Sequence, residues 1–379
     1  MRRHETERER REIKAAPWEN VLSTCDESNN CIMRFAVALL LCFVACAVSD
    51  PRYCTDGDVC ELDDETLRFT LIGDWGGKQL WPYWTFVQRS VAKAAGALAE
   101  SRRSHFVLTN GDNFYFNGVK DLFSHRFENT WRKIYWQRGF DGLWYMLLGN
   151  HDHRGNAEAQ IQYTKLTAGQ NKKWVMPHYW YSFNYALKNG VTAEFIMLDT
   201  VMIVDKHKHP VEYAQQDKFL KEKLAASKAD YLFIVTHHSA MSVCFGPDEP
   251  AIMREIVPLV HQYRVTALLS GHQHCHMDIV HTEGGHTARY IITGLGSFSG
   301  INLYKHRNKK GRLLYEYGGK LGPSAASRGG FMFFELGVSE AVFAFYDKKG
   351  KQLYHSSMPR NRHASVDAAP AVDDSKSDS

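Results

Sequence analysis

The segment VTALLSGHQHCH, residues 265–276, joins a short apolar run to a cluster of three histidines and one cysteine. The run is too short for a helix, and its aliphatic and β-branched composition predicts a buried strand. The cluster therefore begins where that strand ends. Three interpretations are open at this point: a compact zinc site, one part of a larger catalytic metal centre, or a polar loop.

The same arrangement recurs at six other places, where a short apolar run ends in Gly, Asp, Asn or His. These runs are 67–72 before GDWGG, 106–109 before NGDNFY, 143–148 before GNHDH, 195–198 before DT, 231–235 before THHS and 290–292 before TGLG. Segments 86–98 and 216–226, which lie between these runs, have helical spacing. We therefore predict an α/β fold whose active site lies at the carboxyl ends of its strands.

The polar side chains at these strand ends are chemically suited to binding metal. Oxygen and imidazole donors make up the set, which consists of Asp74, Asp112, Tyr115, Asn150, His151, His237, His272 and His274. One carboxylate can bridge two cations about 3.5–4 Å apart, the separation at which metals jointly stabilise an in-line displacement. The sequence thus favours a two-metal centre over a compact zinc site.

The order GDWG, GDNFY, GNHDH, an apolar strand ending in His, and GHQH resembles the metallophosphoesterase superfamily. Within that superfamily the chain is similar to the purple acid phosphatases of the small tartrate-resistant type, from about Arg68 to Tyr354. The resemblance implies a four-layer αββα sandwich, in which helices flank two mixed β-sheets and the active site lies at the strand carboxyl ends.

One position separates this branch from its relatives. Most metallophosphoesterases begin with Asp-x-His, but Gly76 stands where that histidine would be, and Tyr115 is available instead. A phenolate is a hard anion, and its ordinary pKa of about 10 must be lowered by a strongly polarising cation. The resemblance therefore implies Fe(III) beside Tyr115, with a visible charge-transfer colour.

Carried over position by position, the resemblance implies two metal sites that share Asp112. The ferric site would be formed by Asp74, Asp112, Tyr115 and His274. The second ion, Fe(II), Zn(II) or Mn(II), would be bound by Asp112, Asn150, His237 and His272. The implied activity is hydrolysis of phosphomonoesters by in-line attack of a metal-bound hydroxide.

The resemblance also implies roles for neighbouring side chains. His151, held by Asp152, is predicted to face the phosphate as a hydrogen-bond donor or general acid. Within GHQHCH, Cys275 is expected in a disulfide or as a buried thiol. His276 is expected at the rim of the site or behind the ligands.

The fourth motif leaves two assignments open, because THHS contains two adjacent histidines. The family pattern VxxH selects His238, whereas alignment of the strand selects His237, the first residue past the apolar run. We favour His237 as the ligand, with His238 as a catalytic residue facing substrate. Phe245 stands where the small acid phosphatases carry a second substrate-facing histidine, which leaves the general acid open.

The N-terminal residues are predicted to lie outside the fold. The apolar stretch 35–48 is shorter than the about 20 residues that span a bilayer. Small residues at Ala47 and Ser49 match a signal-peptide cleavage site. We predict that 1–49 is an N-terminal extension and signal peptide with its true start at Met33. The mature protein would then be secreted or enter an endomembrane, lysosome-like compartment, with no stable membrane anchor; an N-terminal anchor is the alternative.

Four cysteines follow the predicted signal peptide: Cys54, Cys60, Cys244 and Cys275. In an oxidising compartment the first two can pair across a short loop, and the last two can pair if their loops meet. Spacing alone does not fix the connectivity. We predict a short linker at 50–66, a single catalytic domain at 67–356 and a disordered tail at 357–379.

Composition narrows the range of partners. The chain has 379 residues with 44% hydrophobic and 23% charged residues, which is ordinary for a globular protein. A net charge of +4 on this length does not indicate a nucleic-acid binder. The expected partners are phosphomonoester substrates, and the sequence gives no oligomeric state.

Two alternative functions remain at this stage. One is a metallophosphodiesterase or protein phosphatase of the same superfamily, against which Gly76 and Tyr115 argue. The other is a non-catalytic secreted metal-binding protein that retains the fold, against which the complete set of donor residues argues.

Overall fold

Two mixed β-sheets run through the computed structural model, which describes residues 53–360 apart from 56, 169–172, 245, 300–309 and 319–326. The predicted extension and signal peptide, and Phe245, lie outside the described residues. Among the described residues, no helix combines the length and apolar character needed to cross a bilayer.

The strands are short and are numbered here in chain order. They are β1 (Val59–Leu62), β2 (Leu67–Ile72), β3 (Phe106–Thr109), β4 (Leu143–Tyr145), β5 (Trp174–Val175), β6 (Tyr181–Leu187), β7 (Thr192–Met197), β8 (Tyr231–Thr236), β9 (Ala267–Ser270), β10 (Cys275–Glu283), β11 (His286–Thr293), β12 (Arg312–Gly318), β13 (Gly330–Leu336), β14 (Glu340–Asp347) and β15 (Gln352–Pro359).

Each sheet combines a block of four neighbouring parallel strands with antiparallel pairs. The eight-stranded sheet has the order β1-β6-β7-β8-β9-β11-β10-β12, and β7, β8, β9 and β11 run parallel. The seven-stranded sheet has the order β15-β14-β13-β2-β3-β4-β5, and the four strands from β2 to β5 run parallel. The parallel strands of both sheets carry the motifs that the sequence singles out.

Helices connect these strands. They are α1 (Phe86–Arg102), α2 (Ala157–Thr167), α3 (Val201–Val204), α4 (Pro210–Ala226), α5 (Pro250–Glu255) and α6 (Val257–Gln262), with a π-helical turn at Phe127–Arg132 and 3₁₀ turns at Arg138–Phe140 and Asp152–Arg154. The Thr85 hydroxyl caps α1 by accepting the Gln88 N–H at 3.0 Å. The helix ends at Arg103, whose left-handed φ of 55° lets its N–H return to the helix carbonyls.

The surroundings of the parallel strand β8 explain why its sequence is continuously apolar. Tyr231, Phe233 and Val235 point into the core between the sheets, whereas Leu232 and Ile234 point to the opposite side. All six residues of the strand are buried, because both faces of the sheet are covered. A strand in this environment has no polar face.

Aromatic rings fill the space between the two sheets. The Phe69 ring of β2 stacks on Phe334 at 4.6 Å and on Phe106 at 4.9 Å. From the opposite sheet, Phe195 meets Phe69 edge-on at 5.3 Å. These rings join the sheets through a core that excludes water.

Helices cover the outer faces of both sheets. α1 contacts β2 and β13 of the seven-stranded sheet through buried residues that include Val91 and Ala95. On the eight-stranded sheet, Leu220 of α4, Ile252 of α5 and Val260 of α6 share an apolar cluster with the outer face of β8. The predicted αββα sandwich is confirmed.

The sheets extend beyond the predicted limits of the catalytic domain. β1 lies within 50–66, the segment predicted as a linker, and pairs in parallel with β6. β15 continues to Pro359, past the predicted end at 356. The structure forms both cysteine pairs, Cys54–Cys60 and Cys244–Cys275.

The aromatic core yields a test of packing. Replacing Phe69 by Ala leaves a cavity among stacked rings, so we expect the free energy of unfolding to fall by about 3–5 kcal/mol. The matched control is Phe123→Ala, because Phe123 is 81% exposed, and its effect should stay within about 0.5 kcal/mol. Urea unfolding measures both. Equal losses of unfolding free energy in the two variants would contradict a central role for Phe69 in the core.

Candidate active site

Seven side chains that the sequence predicts as metal ligands come together at the carboxyl ends of the central strands. Each lies in a loop that directly follows a parallel strand or its short extension. Asp74 follows β2, Asp112 and Tyr115 follow β3, Asn150 follows β4, His237 follows β8, and His272 and His274 follow β9. The strands come from both sheets, so the site lies where the sheets meet.

A first group of donors is centred on Tyr115. Its hydroxyl donates to Asp74 Oδ1 at 2.9 Å and lies 3.1 Å from His274 Nε2. The same nitrogen of His274 is 3.3 Å from Asp74 Oδ1. Asp112 completes this group, because Asp74, Asp112 and His274 each place one ligand atom within 4.8 Å of the others.

A second group of donors lies on the other side of Asp112. Asn150 Oδ1 is 3.0 Å from both His237 Nε2 and His272 Nδ1, and these two nitrogens are 3.2 Å apart. Asp112 Oδ1 is 3.4 Å from His237 Nε2. The carboxylate of Asp112 therefore adjoins both groups.

The spacing within each group fits a metal ion. Ligands about 2.1 Å from an octahedral ion lie about 3.0 Å from one another. The donor atoms of each group are separated by 2.9–3.3 Å. Two ions with a shared carboxylate match this arrangement.

The hydrogen bonding of His237 also suits a cation in the second group. Its Nδ1 donates to the Asn110 carbonyl oxygen at 2.9 Å, so Nε2 of the neutral ring presents a lone pair. That lone pair faces Asn150 Oδ1, another acceptor. A cation between these atoms removes the repulsion.

The carboxylates of the site are buried away from water. Asp74 and Asp112 are each 1% exposed, and within the described residues their ion-pair partners are histidines. Burial raises the pKa of Asp112 to about 7, against the opposing effect of His237. Burial, together with the two carboxylates, raises the pKa of Tyr115 well above its ordinary value. Bound cations stabilise the anionic forms of all three groups.

Three of the predicted ligands have backbone conformations that favour glycine. The φ angles are 55° at Asp74, 53° at Asp112 and 64° at His272. Such conformations cost about 1–3 kcal/mol each and persist where the surroundings fix them. Here the His272 N–H donates to Asp74 Oδ2 and the His151 N–H donates to Asp112 Oδ1, both at 2.9 Å. The loops are thus held in the geometry that directs their donors inward.

Gly76 is required by the close approach of the loop after β3. A Cβ at this position would lie 2.7 Å from the Asp112 carbonyl oxygen and from the Tyr115 nitrogen. Arg126, which is 4% exposed, locks the two loops by donating to the carbonyl oxygens of Gly76 and Tyr115, each at 2.6 Å. The sequence analysis missed Arg126, because a lone arginine outside the motifs gives no signal.

His151 lies at the open side of the donor groups. Its Nδ1 donates to the Phe116 carbonyl oxygen at 2.7 Å, which directs Nε2 towards Asp112 Oδ2, 4.0 Å away. The ring packs edge-on against Tyr115, with 4.7 Å between centroids. Nε2 is therefore the atom available to a bound substrate.

Asp152 has a different role from the one predicted. Instead of holding the His151 ring, its carboxylate accepts hydrogen bonds from four donors: Asn113 N, Phe114 N, Gly149 N and Gln160 Nε2, at 2.9–3.1 Å. Three of these are backbone groups of the loops that carry Asp112, Tyr115 and Asn150. Asp152 is a fully buried brace between those loops.

Two further histidines also differ from expectation. His238 is only 8% exposed; its Nδ1 is 2.9 Å from the Thr200 hydroxyl and its ring is 4.6 Å from His272, so the geometry gives no support to a substrate-facing role. His276 is fully buried, stacks on Phe345 at 4.7 Å and lies 3.3 Å from the Tyr346 carbonyl oxygen. Of the two predicted positions of His276, the rim is wrong, because β10 directs this side chain into the core.

A cleft of 860 Å³ lies beside the segments that follow Tyr115 and His151 in the chain. Its walls include residues 117–120, which follow Tyr115, and residues 153–158, which follow His151. Lys120, His125 and Arg154 contribute basic side chains to the lining. The cleft has room for a chemical group much larger than phosphate.

The chain has close relatives among known proteins. A family model described as calcineurin-like phosphoesterase matches residues 67–276. Tartrate-resistant acid phosphatase type 5 of Rattus norvegicus is 32% identical over 316 residues, which cover 79% of this chain and 93% of the relative. Purple acid phosphatase 7 of Arabidopsis thaliana is 28% identical over 317 residues, which cover 80% of this chain and 89% of the relative.

Solved structures share the fold. GAP50, the anchor in the inner membrane complex of Plasmodium, aligns with a TM-score of 0.67 at 25% identity, covering 78% of this chain and 89% of that chain. The purple acid phosphatase PPD1 from yellow lupin seeds aligns with a TM-score of 0.58 at 15% identity, covering 81% of this chain and 57% of that chain.

The bracing role of Asp152 is testable with a conservative change. Asp152→Asn replaces one acceptor oxygen by an NH₂ group that faces buried N–H donors. We expect a loss of about 2–4 kcal/mol in the free energy of unfolding, since each unsatisfied buried group costs about 1–3 kcal/mol. We also expect metal to be lost on dialysis, as measured by elemental analysis. Asp63→Asn is the control because its side chain is 90% exposed; a variant at 152 that matched this control in both measurements would refute the bracing role.

Proposed function

This chain belongs to the calcineurin-like phosphoesterase family, in its branch of small tartrate-resistant purple acid phosphatases, and on that premise we propose that it is an acid phosphatase with a binuclear metal centre. Phosphomonoesters are the proposed substrates. The observation that carries the proposal is the place of Asp112, whose carboxylate adjoins two separate groups of donor atoms.

The two donor groups differ in chemistry, and the difference supports different metals. Asp74, Tyr115 and His274 include two anionic oxygens, which favour a hard trivalent ion, Fe(III). Asn150, His237 and His272 are neutral and favour a divalent ion such as Fe(II), Zn(II) or Mn(II). Bound there, the cations would supply positive charge for the phosphate oxygens and activate the attacking water.

The geometry supports His237 over His238 as the ligand from the fourth motif. His237 Nε2 lies 3.0 Å from Asn150 Oδ1, among the donors of the second group. The Asn110 carbonyl oxygen fixes the orientation and tautomer of this ring, as is usual for histidines that bind metal. His238 is engaged with Thr200.

The proposed proton donor is His151. Because Phe116 holds its Nδ1, the protonated ring presents its second N–H at Nε2, towards the space beside Asp112. From there it can bind a phosphate oxygen and pass a proton to the leaving-group oxygen. A protonated imidazole is favoured in acidic solution, which agrees with an acidic optimum.

Two alternative functions have different support in the structure. A phosphodiesterase or protein phosphatase is disfavoured, because Gly76 has no space for the histidine that begins the site in those enzymes. A non-catalytic role has one point in its favour, the structural likeness to an anchor protein of Plasmodium. Turnover of an aryl phosphate no faster than that of an Asp112→Ala variant would support the non-catalytic role.

Metal content and colour test the proposed centre. We expect about two metal ions per chain, at least one of them iron, and a visible absorption band that Tyr115→Phe abolishes, because phenylalanine has no oxygen to bind iron. Removal of metal by a chelator should abolish turnover. The measurements are elemental analysis and a visible spectrum on the same sample, with Tyr179→Phe as the control for loss of a phenol. Fully active protein without iron would overturn the assignment.

His151 is tested by its effect on rate. We expect His151→Ala to lower kcat by about 10²–10⁴-fold, the usual contribution of a general acid, with unchanged metal content. The control is His355→Ala, since His355 is exposed on β15, and its kcat should match the unmodified protein. An unchanged kcat in the His151 variant would exclude the proposed proton donor.

A further inference from the structure

A second cluster of histidines lies at the far end of β10 and β11, which form a hairpin. Gly284 and Gly285 connect these strands with φ angles of 57° and 74°, the conformation of a tight two-residue hairpin turn. Glu283 and His286 lie opposite each other across the turn. Because side chains alternate between the faces of a strand, His281 and Glu283 lie on the same face.

A third side chain reaches this face from a helix. His261 lies in the last turn of α6 and is 7% exposed. One ligand atom from each of His261, His281 and Glu283 falls within 4.8 Å of the other two. Within this group, His281 Nε2 is 3.2 Å from the Glu283 carboxylate.

The His261 ring is oriented in the way that metal-binding histidines are oriented. Its Nδ1 donates to the His286 carbonyl oxygen at 3.1 Å, which leaves a lone pair on Nε2. The Tyr290 hydroxyl lies 3.0 Å from that Nε2 and donates to its lone pair, so a metal ion bound at Nε2 would take the place of this hydrogen bond. The backbone carbonyl thus fixes the tautomer that can bind a metal ion.

The geometry parallels that of the donor group at the catalytic centre. The rings of His261 and His281 are 5.0 Å apart at an angle of 82°. The rings of His237 and His272 are 5.0 Å apart at 78°, and His237 Nδ1 also donates to a backbone carbonyl. In the described part of the chain, two pairs of histidines thus share the same ring geometry. In each pair, a backbone carbonyl fixes the tautomer of one ring.

A further nitrogen in the cluster has no hydrogen bond in the structure. The His286 side chain is 6% exposed, and its Nδ1 is buried without a hydrogen-bond partner. Its ring lies 5.4 Å from the His261 ring. A buried polar atom without a hydrogen-bond partner is the kind of group to which a water molecule or an ion binds.

We propose that His261, His281 and Glu283 form a separate site for a divalent transition-metal ion, with Zn(II) as the preferred ion. Two imidazoles and one carboxylate are an established zinc ligand set. The site does not depend on the proposed phosphatase activity. Along β10, Glu283 lies seven residues and His281 five residues from His276, which pairs with Thr293 at the other end of the hairpin; these are distances of about 24 Å and about 17 Å at 3.4 Å per residue.

At that distance from the other end of the hairpin, the ion would stabilise the fold and would take no part in the reaction. It would link the tip of the β10–β11 hairpin to the end of α6, which side chains of the two elements already join. A metal that binds only the folded chain stabilises it by mass action. At free zinc 100 times the dissociation constant, the ratio of folded to unfolded protein rises about 100-fold.

The test compares zinc uptake by the full-length protein and a double variant, His281→Ala with Glu283→Gln. Samples with a loaded catalytic centre are dialysed against micromolar zinc chloride, then analysed for zinc per chain and for melting temperature. We expect the unmodified protein to bind one zinc ion more than the double variant. Its melting temperature should rise with zinc, and this rise should be absent from the variant.

Two controls separate zinc binding from general damage. His355→Ala should behave like the unmodified protein, because His355 is exposed on β15. The double variant should retain its turnover of an aryl phosphate within about twofold, since a remote change leaves the reaction intact. If the double variant fails to fold, Glu283→Gln alone is used, and its zinc dissociation constant should rise at least about tenfold. Equal zinc content and equal melting curves in unmodified and variant protein would overturn the proposal.

Discussion

The structure depends on the burial of the Asp112 carboxylate between two groups of donors. This side chain is 1% exposed, and lies near the carboxylate of Asp74. Two negative charges in such a space are unfavourable unless positive charge enters with them. The proposed metal ions meet that requirement, and they account for the approach of imidazole, amide and phenol donors to within about 3 Å of one another. The proposed centre therefore couples metal binding to the correct folding of the site.

The two sheets provide the rigid support for this arrangement. Strands buried on both faces end at the same edge, and each loop that follows carries one or two donors. The loops keep strained conformations at Asp74, Asp112 and His272 because buried groups hold them. Arg126 joins two of the loops through carbonyl oxygens, and Asp152 joins two through backbone N–H groups. The Cys244–Cys275 disulfide fixes the chain directly after His274.

The apolar runs predicted an α/β fold with polar side chains at its strand ends, and the resemblance to the purple acid phosphatases implied the sandwich and selected the seven donors among those side chains. The sequence did not predict the supporting residues. Asp152 was assigned to the His151 ring, since sequence proximity does not show that its carboxylate accepts four hydrogen bonds from two loops and a helix. The sequence placed His276 near the site. The direction of its side chain depends on where β10 begins, and the residues after His274 do not show this. The cluster of His261 with His281 joins a helix to a hairpin, and no local pattern reveals such a contact.

The most direct measurement of the central claim is anomalous X-ray diffraction from crystals of the purified protein, collected at the iron and zinc absorption edges. A centre bridged by Asp112 predicts two anomalous peaks about 3.5–4 Å apart, one on each side of this carboxylate. The iron signal should lie on the side of Tyr115. A single peak, or two ions that do not share Asp112, would contradict the account.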